Sequence, residues 1–190
     1  MSHTLDSFKF IDVLIAFDVQ EILKQNNNTL GTTPDKATPL GNNPDTVYMI
    51  TPLADAASGF GQGSVQGMYQ GEGGSNLMLK ANVNDMIYWR TVSLTDTENY
   101  KCFLYGIQAI SGNLLGYVSY MTENTTEPYP AQGWPDNNSV KTELRADYWA
   151  QATVLSPGQE TYAFVAAVYD RHAHLKGYVT WKAYLAISHG

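Results

Sequence analysis

Between residues 76 and 188, short segments of alternating apolar and polar residues follow one another, separated by turn residues. Successive side chains of a β-strand point to opposite faces, so this period-two pattern predicts strands with one buried face. We assign strands to residues 76–83, 86–94, 100–110, 114–122, 141–155, 161–169 and 178–188. The connections are short and lack the helical segments that a parallel α/β fold requires. The pattern therefore indicates an antiparallel sandwich or barrel, and we predict an all-β antiparallel β-sandwich, immunoglobulin-like or jelly-roll-like with a Greek key.

Turn chemistry supports these boundaries. Asn84 and Asp85 separate two strands, and Asn is one of the few non-glycine residues that tolerates a positive φ. Residues 156–159 read Ser-Pro-Gly-Gln, which is typical of a β-turn. The segment 161–169 is apolar on both faces, so we expect it to be a central strand.

The N-terminal part predicts one strand at residues 11–17 and then one short helix. The Asp18 carboxylate can accept a hydrogen bond from the Glu21 N–H and so cap a helix that ends near Asn26. Residues 26–45 and 123–140 are rich in Pro, Asn and Thr and are interpreted as long loops, with a strand at 46–51. The glycines at 59–74 are interpreted as a connection, because neither G-K-[ST] nor a helical pattern follows them.

Length and charge narrow the functional classes. A chain of 190 residues is expected to form a single domain, residues 1–190. The net charge of −7 disfavours binding to nucleic acid or to anionic lipid, which require clustered Lys and Arg. No apolar run approaches the length of a membrane span, and the N-terminus is a poor signal peptide. The single cysteine, Cys102, fits a reducing compartment, so we expect a cytoplasmic protein or one exported without a Sec signal.

Three ordered stretches resemble the AidA/PixA family of bacterial inclusion-body proteins. They are I-D-V-L-I at 11–15 with the following helix start, L-K-A-N-V-N-D-M-I-Y-W-R at 79–90, and the C-terminal hairpin from Y-D-R at 169–171 to Trp181 and Tyr184. The resemblance implies a bacterial protein that accumulates in cytoplasmic inclusions or acts on nematode or insect hosts. It implies no catalytic residues. The family usually has Gly at the position of Asn84, and it offers no role for His172 or His174.

Candidate sites in the residues themselves are few. Asp12 and Asp18 would lie about 20 Å apart on one strand, which is too far for a glycosidase pair. His172 and His174 share a face if they lie on a strand, and could bind one metal ion with Asp170; solvated histidines at a hairpin tip are the alternative.

The second long loop carries aromatic residues beside a carboxylate. Tyr129, Trp134 and Asp136 stand among prolines and amides, an arrangement that suits binding of a glycan or a protein. Trp134 could instead fold back over the end of the core. Trp89, Trp149 and Trp181 lie on predicted strands and are interpreted as packing residues.

The leading hypothesis is a non-catalytic inclusion-body-type protein that acts by self-assembly or by binding a host partner. We expect a homo-oligomer, because strand edges and tyrosines favour self-association, and we expect no cofactor. A carbohydrate-binding β-sandwich module is the first alternative. An enzyme whose site joins residues of different strands is the second.

Overall fold

The computed structural model describes residues 8–42, 44–57, 74–94, 99–136 and 138–188. Within these residues, one α-helix, α1 (Val19–Gln25), and one short 3-10 helix (Pro34–Lys36) accompany ten strands. The strands are β1 (Phe10–Phe17), β2 (Thr38–Asn42), β3 (Val47–Ile50), β4 (Leu77–Lys80), β5 (Met86–Ser93), β6 (Tyr100–Ala109), β7 (Ser119–Pro130), β8 (Val140–Thr153), β9 (Gly158–Asp170) and β10 (Leu175–Ser188).

The strands form two sheets, which confirms the all-β, sandwich-like prediction with one short helix. The first sheet has the order β3-β1-β5-β8-β7 and the second has the order β2-β10-β9-β6, with β4 also paired to β10. The pairing is mixed rather than antiparallel throughout, because β1 runs parallel to β5 and β10 runs parallel to both β2 and β4. A period-two pattern is the same for parallel and antiparallel strands, so the sequence could not separate them.

The inward faces of the two sheets enclose an aromatic core. Trp181 is 1% exposed and lies between Phe17 and Phe164, with ring centroids 5.4 and 5.2 Å away. Trp89 is also 1% exposed. Trp89 and Trp181 are therefore packing residues, as predicted. Burial of such large rings supplies much of the hydrophobic stabilisation of a sandwich.

The predicted helix start is confirmed. The Asp18 carboxylate accepts a hydrogen bond from the Glu21 N–H at 3.1 Å, and Asn26 forms the C-terminal cap. Val19, Ile22 and Leu23 form the buried side of α1. No helix in the described part of the chain has the length and apolarity needed to cross a membrane.

Both predicted long loops contain regular structure. Residues 26–45 include the 3-10 helix and β2, an edge strand that accommodates Pro39. Residues 123–130 and 140 belong to β7 and β8, so the loop prediction was wrong for this half of the segment, whereas residues 131–139 join the two strands. The strand predicted at 114–122 begins only at Ser119. Asn84 has φ 77°, as its predicted turn requires, whereas most of the glycine-rich stretch 59–74 lies outside the described residues.

Candidate functional site

The β7–β8 hairpin extends well beyond the sheet to which it belongs. β5 pairs with β8 only from Trp89–Ala150 to Met86–Thr153, whereas β7 and β8 stay paired as far as Pro130 and Val140. We call residues 122–130 and 140–148 the arm. Nearly all of its residues are exposed. The arm is therefore a two-stranded ribbon with few contacts to the sandwich, and isolated two-stranded ribbons are only marginally stable in water.

The two faces of the arm differ in charge. Ala150 is fully buried, so strand alternation places the even-numbered residues of β8 on the face that continues from the core. This neutral face has no charged residue and consists of Thr122, Asn124, Thr126, Pro128, Pro130, Val140, Thr142, Leu144, Ala146 and Tyr148. The opposite, charged face includes Arg145, which forms ion pairs with Glu127 at 3.4 Å and Glu143 at 3.2 Å.

The prolines of the arm explain why it is a strand and not a loop. The Ala131 N–H donates to the Ser139 carbonyl at 3.0 Å, so odd-numbered residues of β7 direct their N–H groups toward β8. The nitrogens of Pro128 and Pro130 consequently face the outer edge, where the ladder loses no bond. The same prolines remove two donors from that edge and disfavour addition of another strand near the tip.

A groove lined by aromatic residues lies at the base of the arm. It has a volume of about 430 Å³ and lies between the arm residues Thr122, Ala146 and Tyr148 on one side and Phe103 of β6 and Tyr169 of β9 on the other. The ring centroids of Phe103 and Tyr148 are 5.6 Å apart at an angle of 85°. The groove is therefore continuous with the neutral face of the arm.

Tyrosines of the arm and its base cover the edge of β6. The Tyr148 hydroxyl donates to the Leu104 carbonyl at 2.8 Å, and the Tyr120 hydroxyl is hydrogen-bonded to the backbone of Ile107. Burial raises the pKa of Tyr148 to about 12, with a smaller contribution from Tyr120. These phenols satisfy backbone groups that an edge strand would otherwise leave to solvent.

The predicted residues Tyr129, Trp134 and Asp136 lie at the tip of the arm. Tyr129 is on the charged face opposite Lys141, whereas Trp134 and Asp136 belong to the turn that joins β7 to β8. Trp134 is 48% exposed and hence does not cover the end of the core. Its exposure leaves the indole available to a ligand, and the binding role of these three residues stays a prediction.

His172 and His174 lie in the turn between β9 and β10, with ring centroids 6.0 Å apart. Asp170 is engaged by this turn, because its Oδ1 accepts the His172 N–H at 2.9 Å and the His174 N–H at 3.0 Å. These hydrogen bonds, the one from the His174 backbone first, lower the pKa of Asp170. No group of three or more His, Cys, Asp or Glu residues suited to a metal ion occurs in the described segments. The two-histidine metal site stays a prediction.

Arg90 links neighbouring strands by ion pairs on the outer face of the first sheet. Its guanidinium is bonded to Asp12 of β1 and to Asp147 of β8, the latter at 3.0 Å. It also lies over the rings of Trp149 and Tyr88, at 5.6 and 6.0 Å from their centroids. Asp12 is therefore part of an ion-pair network that joins three strands, and Trp149 packs against this network.

Comparison with known proteins gives one family and one fold. Residues 9–187 match the model of a family described as PixA, inclusion body protein. The crystal structure of an inclusion body protein (PixA) from Burkholderia cenocepacia J2315 has a TM-score of 0.70 to this chain at 20% sequence identity. The match covers 98% of this chain and 100% of that one, and at this identity it establishes the fold. No curated protein matches the chain.

Proposed function

Because the chain belongs to the PixA inclusion body protein family, we propose that it acts by accumulating through self-association in cytoplasmic inclusions, without catalysis. The family match supports an inclusion-body-type protein. The exposed neutral face of the arm supports self-association as the route to accumulation. A homo-oligomer or a larger assembly is the form in which we expect the protein to work.

The exposure of apolar side chains on the arm is the observation that carries this proposal. Two apolar residues of the neutral face are largely open to solvent: Leu144 is 69% exposed and Val140 is 53% exposed. A ribbon that buries neither of its faces gains little stability from its own contacts. Covering the neutral face with another molecule would bury this apolar surface and stabilise the arm.

Sedimentation of the purified protein from micromolar to millimolar concentration tests the proposal. We expect the weight-average mass to rise with concentration, and cells that produce the protein at a high level to contain refractile inclusions. A protein that remains monomeric over the whole range, in cells without inclusions, would overturn self-association as the function.

A glycan-binding module is the second candidate, favoured by the exposed indole of Trp134 at the arm tip. Aromatic rings that stand in solvent beside polar groups can stack against sugar rings. A glycan array probed with the wild-type protein and with Trp134→Ala tests this role. We expect any hit to weaken in the variant, and binding that is unchanged by the substitution would remove Trp134 from the site.

A further inference from the structure

We propose that the neutral face of the arm binds the same face of a second copy of this chain, in an antiparallel arrangement around a two-fold axis near Leu144. This inference rests on the proposed function, since it names the partner and the geometry of self-association. Three observations support it: the pattern of β8, the charge of the two faces, and the position of the groove.

The pattern of β8 does not change where the sheet ends. Neutral residues occupy every even position from Val140 to Ala152, and polar or charged residues occupy most odd positions. Such alternation is typical of a strand with one face buried and one face in water. Ala150 and Ala152 meet that expectation inside the sandwich, whereas Leu144 and Val140 do not meet it within a single chain. The alternation along β8 therefore indicates that the neutral face of the arm is covered by another surface.

The charge distribution favours a second copy as the cover. At a two-fold interface the same surface patch lies opposite itself, so a charged patch would place like charges together. The chain has a net charge of −7, so a charged patch that faced its own copy would add to the repulsion between the two molecules. The neutral face has no charged residue, while Lys141, Glu143 and Arg145 are confined to the opposite face. A strongly charged partner would find no counter-charge on the neutral face.

The groove at the base gives the tip of the second arm a place to bind. When two arms pack antiparallel, the tip of each lies over the base of the other. Val140 and Pro130 of one copy would then approach the groove lined by Phe103, Ala146 and Tyr148 of the other. The partner's tip would thereby cover aromatic surface that is open in the single chain, since Phe103 is 38% exposed.

The dimensions of the arm predict a weak contact. At about 3.3 Å per residue and about 4.8 Å between strands, each neutral face is roughly 25 Å long and 10 Å wide. The arm faces together with the grooves therefore bury less than the standard interface, which covers about 800 Å² per partner. We expect association at high protein concentration, as in an inclusion, and dissociation on dilution.

Engineered cysteines test the geometry directly. Cys102 is buried and does not interfere, so Leu144→Cys places one accessible thiol near the proposed axis. We expect this variant to form a covalent dimer rapidly under mild oxidation. Glu143→Cys, one residue away on the charged face, is the control, and we expect it to cross-link slowly. Equal rates for the two variants would overturn the arrangement.

Leu144→Asp tests the energetics in the full-length protein. Leu144 is mostly exposed, so the melting temperature should stay unchanged, while two facing carboxylates weaken the dimer by about tenfold or more. Leu53→Asp is a matched control, because Leu53 is 64% exposed and lies outside the arm. If the wild type associates and Leu144→Asp associates equally well, the arm is not the interface. If the wild type never associates, the proposed function itself fails.

Discussion

Replacement of Gly112 by Ala should lower the free energy of unfolding, because the added methyl group would collide with the buried carboxylate of Glu160. Gly112 has φ +82°, and a Cβ atom there would lie 2.6 Å from Oε1 of Glu160. A glutamate on the surface would move aside at little cost. Glu160 is 5% exposed, and its Oε2 accepts hydrogen bonds from the Tyr162 hydroxyl at 2.7 Å and the Leu114 N–H at 3.2 Å. Movement of the carboxylate would therefore strain or break these bonds.

Two contributions set the magnitude. A non-glycine residue in the left-handed region costs about 1 kcal/mol. Loss of a hydrogen bond to a buried carboxylate costs about 2 kcal/mol. The sum is about 3 kcal/mol, which corresponds to a fall in melting temperature of about 6–12 °C for a chain of this size.

Gly41→Ala separates the two contributions. Gly41 has φ +92°, and no atom of the described residues lies within 4 Å of the position of its Cβ. This variant should therefore lose only the conformational contribution of about 1 kcal/mol. Urea unfolding and thermal melting of both variants, measured on the same protein preparation, give the comparison. In a Glu160→Ala background, Gly112→Ala should cost no more than Gly41→Ala does. If Gly112→Ala and Gly41→Ala are equally stable in the wild-type background, the reasoning about Glu160 is refuted.

Three further predictions concern titratable groups. Burial raises the pKa of Cys102 to about 12, so a thiol reagent at mildly alkaline pH should modify it far more slowly in the native than in the denatured protein, and equal rates would contradict its burial. Because the pKa of Tyr148 is raised to about 12 in the folded protein, its neutral phenol contributes stability that is fully present below about pH 10. This contribution is lost as the pH rises through about 12. Tyr148→Phe should therefore lose less stability than the wild type over this range, whereas Tyr117→Phe, at a residue 91% exposed, should behave as the wild type does. A metal site at His172 and His174 predicts saturable Ni²⁺ binding that calorimetry no longer detects when both residues are changed to Ala, and binding that survives the change would exclude the site.

Local signals in the sequence were sufficient for local structure. The Asp18 cap, the turn at Asn84 and the two-sided apolar strand that becomes β9 are each decided by residues close together in the chain. The family resemblance, which rests on ordered stretches along the whole chain, is confirmed by the family match. The cap, the turn and the apolar strand depend on backbone preference, short-range hydrogen bonding or local apolar pattern, and such effects can be evaluated from a single sequence.

The β8 strand of the arm was predicted at residues 141–155, but the β7 strand beyond residue 122 was missed because its prolines were interpreted without knowledge of which edge they face. Pro128 and Pro130 break a central strand, but they are compatible with an edge strand whose nitrogens point away from its partner. The alternation from Val140 to Ala152 indicates β8 alone, and it does not show that residues 122–130 pair with that strand. The parallel pairing of β1 with β5 could not be predicted, since it joins segments separated by a long stretch of chain and leaves no local pattern.

The position of β10 in the second sheet has a consequence for biosynthesis. β10 pairs with β9 on one edge and with β2 and β4 on the other, so three earlier strands depend on residues that are synthesised after them. Until residue 188 has been made, β2 and β4 have no template and one edge of β9 stays open. Unpaired edges of this kind are where nascent chains associate wrongly, and long-range pairing is slow to form. The second sheet can therefore be completed only after β10 has been synthesised, and the rate of synthesis should affect how much of the protein reaches the native fold.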